Sequence, residues 1–210
     1  PMLSPSPSRA SAFGSRVALT SAATTAGDAS TGLLAVSAPG EGEIGSEGDG
    51  YGRVHLYTKV DGAGGITDGW DHIIELADPD EGAEGGPVRA FGSILAVSAV
   101  GVGGDAAGAS ATSGPLLPTV VAGSAQYIDD NGDVVGALRV FEPVDPADVS
   151  SGWTATTTIR GTAADPIDGL VEVCDRWIVH VGADGRRATA YTRDSDSDPW
   201  TATSVAGLNQ

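Results

Sequence analysis

The chain has 210 residues, 40% hydrophobic and 19% charged, enough for one or two domains with a sizeable core. Its 28 acidic residues against 11 basic ones give a formal charge of −17, which repels nucleic-acid phosphates and anionic lipid surfaces. No run of about 18 apolar residues occurs, so no helical membrane span is expected. Gly (31) and Pro (12) together make about a fifth of the chain, well above average usage. They punctuate short Val-, Ile-, Thr- and aromatic-rich runs, which reads as many short strands joined by turns. The acidic surface suits a saline extracellular setting, and a high-GC genome yields the same residue balance.

In chain order, residues 1–12 carry "SPSPS" and read as a flexible Ser/Pro-rich tail without a signal-peptide pattern. The span 13–76 holds four strand-like pieces: "SRVALT" (15–20), "LLAVSAPG" (33–40), "GRVHLY" (52–57) and "GWDHIIEL" (69–76). The span 77–159 repeats them as "PVRAF" (87–91), "ILAVSAVG" (94–101), "GALRVF" (136–141) and "GWTATTTI" (152–159). The span 160–210 supplies "LVEVC" (170–174), "IVHVGADG" (178–185), "RRATAY" (186–191) and "PWTATSVA" (199–206). Each third piece ends in an aromatic (Tyr57, Phe141, Tyr191), and each fourth opens on a tryptophan (Trp70, Trp153, Trp200). These six residues are expected to anchor the repeats.

Two stretches break the regularity, residues 21–31 and an insertion at 102–135. Asn131-Gly132 in the second is a strong two-residue hairpin signal. A protruding ribbon is therefore expected there. Tyr127, Ile128, Asn131 and Gly132 are its candidate partner-binding residues, with a tolerated surface loop as the plainer reading.

Four short strands per unit, repeated, predict an all-β chain of β-propeller blades, because radial stacking buries both faces of each small sheet. The string "AFGSRVALT…LLAVSAPG…GRVHLYTK" resembles the FG-GAP repeat of integrin α-subunit propellers and of many secreted or surface proteins. Phe13-Gly14 stands for the "FG" and Ser37-Ala38-Pro39 for the "GAP", with Ser98-Ala99-Val100 and Gly182-Ala183-Asp184 as later copies. The resemblance implies three four-stranded FG-GAP-like blades of a partial propeller. Propellers close with about four to eight blades, so further blades of a longer parent chain, or other chains in an oligomeric assembly, would complete the ring. An extracellular or cell-surface location follows from the same resemblance.

Family members often hold calcium in a D-x-D-x-D-G-x-x-D loop, and the matching connections here lack those ligands. Calcium thus stays an open alternative and no cofactor is expected. The remaining acidic strings are Asp129, Asp130 and Asp133; Asp194, Asp196 and Asp198; and Asp78, Asp80, Glu81 and Glu84. None satisfies a calcium-loop pattern, and each reads as solvated loop charge.

His55, His72 and His180 show no metal-ligand spacing, and no metal site is expected of them. Cys174 reads as a buried, inert thiol. No nucleophile elbow, phosphate loop or zinc-protease signature occurs, so no catalytic residue and no enzyme activity are expected. The expected function is a non-catalytic structural and protein-interaction module of a surface assembly, related to cell adhesion. The alternative is a ligand-binding propeller, calcium-assisted or carbohydrate-binding, with Trp70, Trp153 and Trp200 as stacking platforms.

Overall fold

The clusters of β-branched and aromatic residues between glycine- and proline-rich turns form strands throughout the computed structural model. It describes residues 12–22, 31–42, 50–60, 69–81, 90–100, 117–145, 148–174, 177–193 and 198–205. The elements are β1 (Val17–Ala22), β2 (Thr31–Ala38), β3 (Arg53–Val60), β4 (Gly69–Leu76), β5 (Ile94–Val100) and β6 (Leu117–Ser124). There follow β7 (Ala137–Asp145), β8 (Asp148–Arg160), β9 (Leu170–Cys174), β10 (Trp177–Val181), β11 (Ala188–Thr192) and β12 (Thr201–Val205). They make three four-stranded antiparallel sheets, β1–β4, β5–β8 and β9–β12, each a simple meander. The all-β chain of three four-stranded sheets expected from the repeats is present.

Sheet 2 lies between the other two, with the first strands side by side, β1 against β5 and β5 against β9. The three sheets do not close into a ring among the described residues. Because side chains alternate along a strand, each sheet has two distinct faces. Leu33, Val54 and Leu56 of sheet 1 meet Val120 and Phe141 of sheet 2 in one core cluster, with Phe91 at its rim. Leu138, Val140 and Ile159 on the opposite face of sheet 2 meet Val171, Ile178, Tyr191 and Trp200 of sheet 3 in a second.

The pairing registers make the sheets comparable residue by residue. His55 pairs with Val36, Arg139 with Ala122 and Thr189 with His180, so these are equivalent third-strand positions. By the same registers, Trp70, Trp153 and Trp200 fall together, as do Tyr57, Phe141 and Tyr191. Trp200 is buried between sheets 2 and 3, and Trp153 packs against the core between sheets 1 and 2. Trp70 packs on Tyr57, Leu34 and Val36 on the outward face of sheet 1.

Sheet 2 departs from its expected strand assignment. "ILAVSAVG" is the first strand of its sheet, not the second, and the second strand is β6, inside the span expected to be an insertion. The shared string "LAVSA" in β2 and β5 joins non-equivalent strands. The true landmark is "AFGS", at 12–15 and at 90–93. Both copies make the same turn. Ala12 and Ala90 have φ of 50° and 56°, Gly14 and Gly92 both 85°. Ser15 N donates to Ala12 O at 3.1 Å and Ser93 N to Ala90 O at 3.0 Å. Gly14 N then reaches Ser37 O, and Gly92 N reaches Gly123 O, fastening first strand to second. "PVRAF" is accordingly no strand in its described part, since Ala90 and Phe91 belong to this turn. The equivalents of Ser37 and Ala38 in sheet 2 are Gly123 and Ser124, not Ser98 and Ala99.

If the sheets are held by these two clusters, Leu138→Ala, at a fully buried position, costs about 2–5 kcal/mol. Leu170→Ala, at an exposed first-strand position of sheet 3, changes stability by less than about 0.5 kcal/mol. Urea unfolding midpoints of the two variants check the contrast.

Candidate functional site

The richest cluster of chemically active side chains lies on the outward face of sheet 1. Alternation along β3 places His55 and Tyr57 on this face and Val54 and Leu56 in the core. In β4 a bulge interrupts the ladder: Leu56 opposes Ile74, but Tyr57 opposes His72. Strict alternation would send residues 72 and 75 to opposite faces. The extra residue, Ile73, brings His72 and Glu75 to the same side.

Glu41 completes the group from the β2–β3 connection. Its backbone is fixed by Glu41 N donating to Ala38 O at 3.0 Å and by Gly52 N donating to Glu41 O at 2.7 Å. Gly52 has φ of 93°, and a Cβ there would stand 2.2 Å from the Phe91 carbonyl oxygen. Only glycine lets this connection lie against the turn that starts sheet 2.

His55 Nε2 is 2.7 Å from Glu41 Oε2, with both side chains buried. His55 Nδ1 is 3.3 Å from His72 Nε2. A neutral His55 has one N–H. If that N–H is on Nε2 and faces the Glu41 carboxylate, the Nδ1 lone pair points toward His72. Phe13 lies against the His55 ring at 5.6 Å, and Tyr57 meets His72 edge-on at 5.2 Å. Burial and the neighbouring His55 hold the His72 pKa below the usual 6.5, while Glu75 and Glu41 pull the other way. Burial, then the Glu41 carboxylate, push the Tyr57 hydroxyl above 10. Glu75 Oε1 accepts from Arg53 Nε at 2.7 Å, and Arg53 also holds Glu81.

Sequence spacing gave no sign of this group. His55 and His72 are seventeen positions apart, and their approach depends on a hairpin plus a bulge, neither of which leaves a fixed-offset motif. The histidines have no metal-ligand spacing in the sequence, yet two of them stand 3.3 Å apart in space.

A second polar cluster sits between sheets 1 and 2. Arg139, fully buried, donates from Nη2 to Asp78 Oδ1 at 3.0 Å and to Asp80 Oδ2 at 2.6 Å. The Tyr127 ring lies between Arg139 and Arg160, at 5.6 and 5.5 Å from their guanidinium carbons. Asp78, Asp80 and Glu81 are thus ion-pair partners, not loose loop charge. Tyr127 is a core residue and not part of an arm. The ribbon itself is a short hairpin closed by the Ile128–Val134 bridge, with Asn131 and Gly132 exposed at its tip. Asp129 Oδ1 there accepts from Asn131 N and Asp133 N, and these bonds lower its pKa.

Asp194 and Asp196 lie outside the described residues, as does Glu84. Cys174 is exposed rather than buried, because the alternation of β9 turns Leu170, Glu172 and Cys174 away from sheet 2.

No family model, curated protein or solved structure matches this chain. The chemistry must be argued from the side chains themselves.

Arg139→Ala leaves Asp78 buried beside no cation and costs about 3–5 kcal/mol. Arg139→Met combined with Asp78→Leu costs less, and urea midpoints of the two variants measure the difference. A pH dependence follows from His180, which is 2% exposed. Burial lowers its pKa below 6.5, with Asp165 and Asp168 raising it and Arg187 lowering it further. The unfolded chain then binds more protons than the native one as the pH falls below 6.5. Stability therefore drops on acidification and levels off below the depressed native value. Unfolding midpoints between about pH 7.5 and about pH 5 should show this slope, and His180→Gln should flatten it.

Proposed function

We propose that this chain is a non-catalytic structural and protein-interaction module, built of FG-GAP-like propeller blades, whose two outer sheets receive further blades. Those blades come from a longer parent chain or from other chains of an extracellular or cell-surface assembly. The observation that carries this reading is the equivalence of open and covered faces. Val17 and Leu19 on the outward face of sheet 1 are 61% and 62% exposed. Their register equivalents on sheet 2, Leu95 and Val97, pack against the core shared with sheet 1. Those on sheet 3, Val171 and Val173, are buried against sheet 2.

The outward face of sheet 3 tells the same story from the other side. Leu170 is 62% exposed where its equivalent on sheet 2, Ile94, is buried against sheet 3. Trp177, 52% exposed, extends this face. Large apolar side chains left uncovered at both ends of a stack mark contact surfaces. The two faces are also complementary in kind, since sheets 1 and 2 and sheets 2 and 3 already join a face of one type to a face of the other.

Light scattering after size exclusion tests the reading. At micromolar concentration the chain should run at a mass above that of one copy. Leu19→Asp with Trp177→Asp should return it to a single copy with its strand content unchanged. A wild-type chain that stays monomeric, with no partner recovered from its source, sinks the proposal.

A further inference from the structure

The His55–His72 pair fits the geometry of a first-row transition-metal ion such as zinc. Zinc–nitrogen bonds of about 2.0–2.1 Å meeting at the tetrahedral angle hold two nitrogens about 3.3 Å apart. His55 Nδ1 and His72 Nε2 stand at 3.3 Å. The other nitrogen of His55 faces the Glu41 carboxylate at 2.7 Å. A ligating histidine commonly donates its second N–H to a carboxylate, which fixes the tautomer and strengthens the ligand. That partner already stands in place here.

Glu75 lies directly opposite His55 across the β3–β4 ladder. One oxygen each of Glu41 and Glu75 and a nitrogen of His55 all lie within 4.8 Å of one another, while His72 joins the group only through its 3.3 Å approach to His55. The Arg53 ion pair engages Oε1 of Glu75. His72 and Glu75 are exposed while His55 and Glu41 are buried, so the cluster is anchored on one side and open on the other. Two imidazoles with a carboxylate suit zinc, copper or nickel rather than calcium or magnesium, which take oxygen ligands.

We infer that His55 Nδ1 and His72 Nε2 bind one divalent transition-metal ion, with Glu41 positioning His55, Glu75 turning in from its Arg53 ion pair as the third ligand, and a fourth site open to solvent in the single chain. A single chain supplies every group, so the inference does not require a further sheet on this face.

Calorimetric titration of the full chain with zinc chloride, and with calcium chloride as comparison, tests it. Cobalt(II) spectra report the coordination geometry. Zinc should bind with a stoichiometry of one, calcium should not compete, and cobalt should give the visible bands of a tetrahedral site. His72→Gln and Glu75→Gln should each weaken zinc binding more than 100-fold. Glu41→Gln, which removes only the outer partner, should weaken it about 10–100-fold. A folded wild-type chain with no cobalt band overturns the inference. So does zinc binding of unchanged strength in His72→Gln, which would assign the heat to carboxylates elsewhere on this acidic chain. His72 and Glu75 are exposed, so their substitution should leave the fold intact, and circular dichroism of both variants verifies it.

Discussion

The seating of sheet 2 on sheet 1 depends on a buried charge that crosses between them. Arg139 is fully buried on β7, and its guanidinium reaches Asp78 in the stretch that follows the last strand of sheet 1. Apolar packing between the sheets is broad but tolerant of sliding, because Val, Leu and Ala surfaces fit in several registers. A buried guanidinium is not tolerant. Displaced from Asp78 it would lose its counter-charge in a medium of low polarity, at a cost of several kcal/mol. The pair thus sets how sheet 2 sits on sheet 1. Tyr127 and Arg160 close the same group from the sheet 2 side, so the lock also holds the ribbon base.

The same position is polar in all three sheets, and its partner changes with the reach of the side chain. Arg139 is long enough to take an acid from the neighbouring sheet. Thr189 is short, and its partner Asp165 comes to it from the connection leading out of sheet 2, where Arg187 also holds it. His55 is on the outermost sheet, where no described neighbour supplies an acid. Its carboxylate comes from Glu41 of its own sheet. His55 on the outward face is therefore satisfied within the chain, while the buried Tyr57 hydroxyl has no partner among the described residues and the apolar part around Val17 and Leu19 is left uncovered.

Much of this architecture was legible in the sequence. The aromatic in each third strand and the tryptophan after it mark the paired third and fourth strands, since both sit on the same face in every sheet. Misreading entered through "LAVSA". β2, a second strand, and β5, a first strand packed between two neighbours, both bury small apolar residues, so local composition cannot distinguish them. The "AFGS" turn can, because its positive φ at Gly14 and Gly92 and its bond to the second strand depend on backbone conformation. Leu117–Ser124, the strand that fills the missing place, carries a proline and a glycine within it, Pro118 and Gly123, and has no partner string elsewhere in the chain.

The histidine–carboxylate group was illegible for a different reason. A ligand set on a helix or a tight loop leaves a fixed offset in the sequence, whereas one built across a ladder depends on register. Here the register carries a bulge between Leu56 and Tyr57, and sheet 2 has the same shift between Val140 and Phe141. The bulge is therefore not peculiar to the site: sheets 1 and 2 share it, while the β11–β12 ladder of sheet 3 runs in unbroken register. In sheet 2 it presents Ala155 and Thr158 where sheet 1 presents His72 and Glu75. The scaffold offers the same geometry in both sheets, and only the outermost fills it with metal-binding side chains. That is where such a group costs this chain's own core least, because His72 and Glu75 are exposed rather than enclosed between two of its sheets.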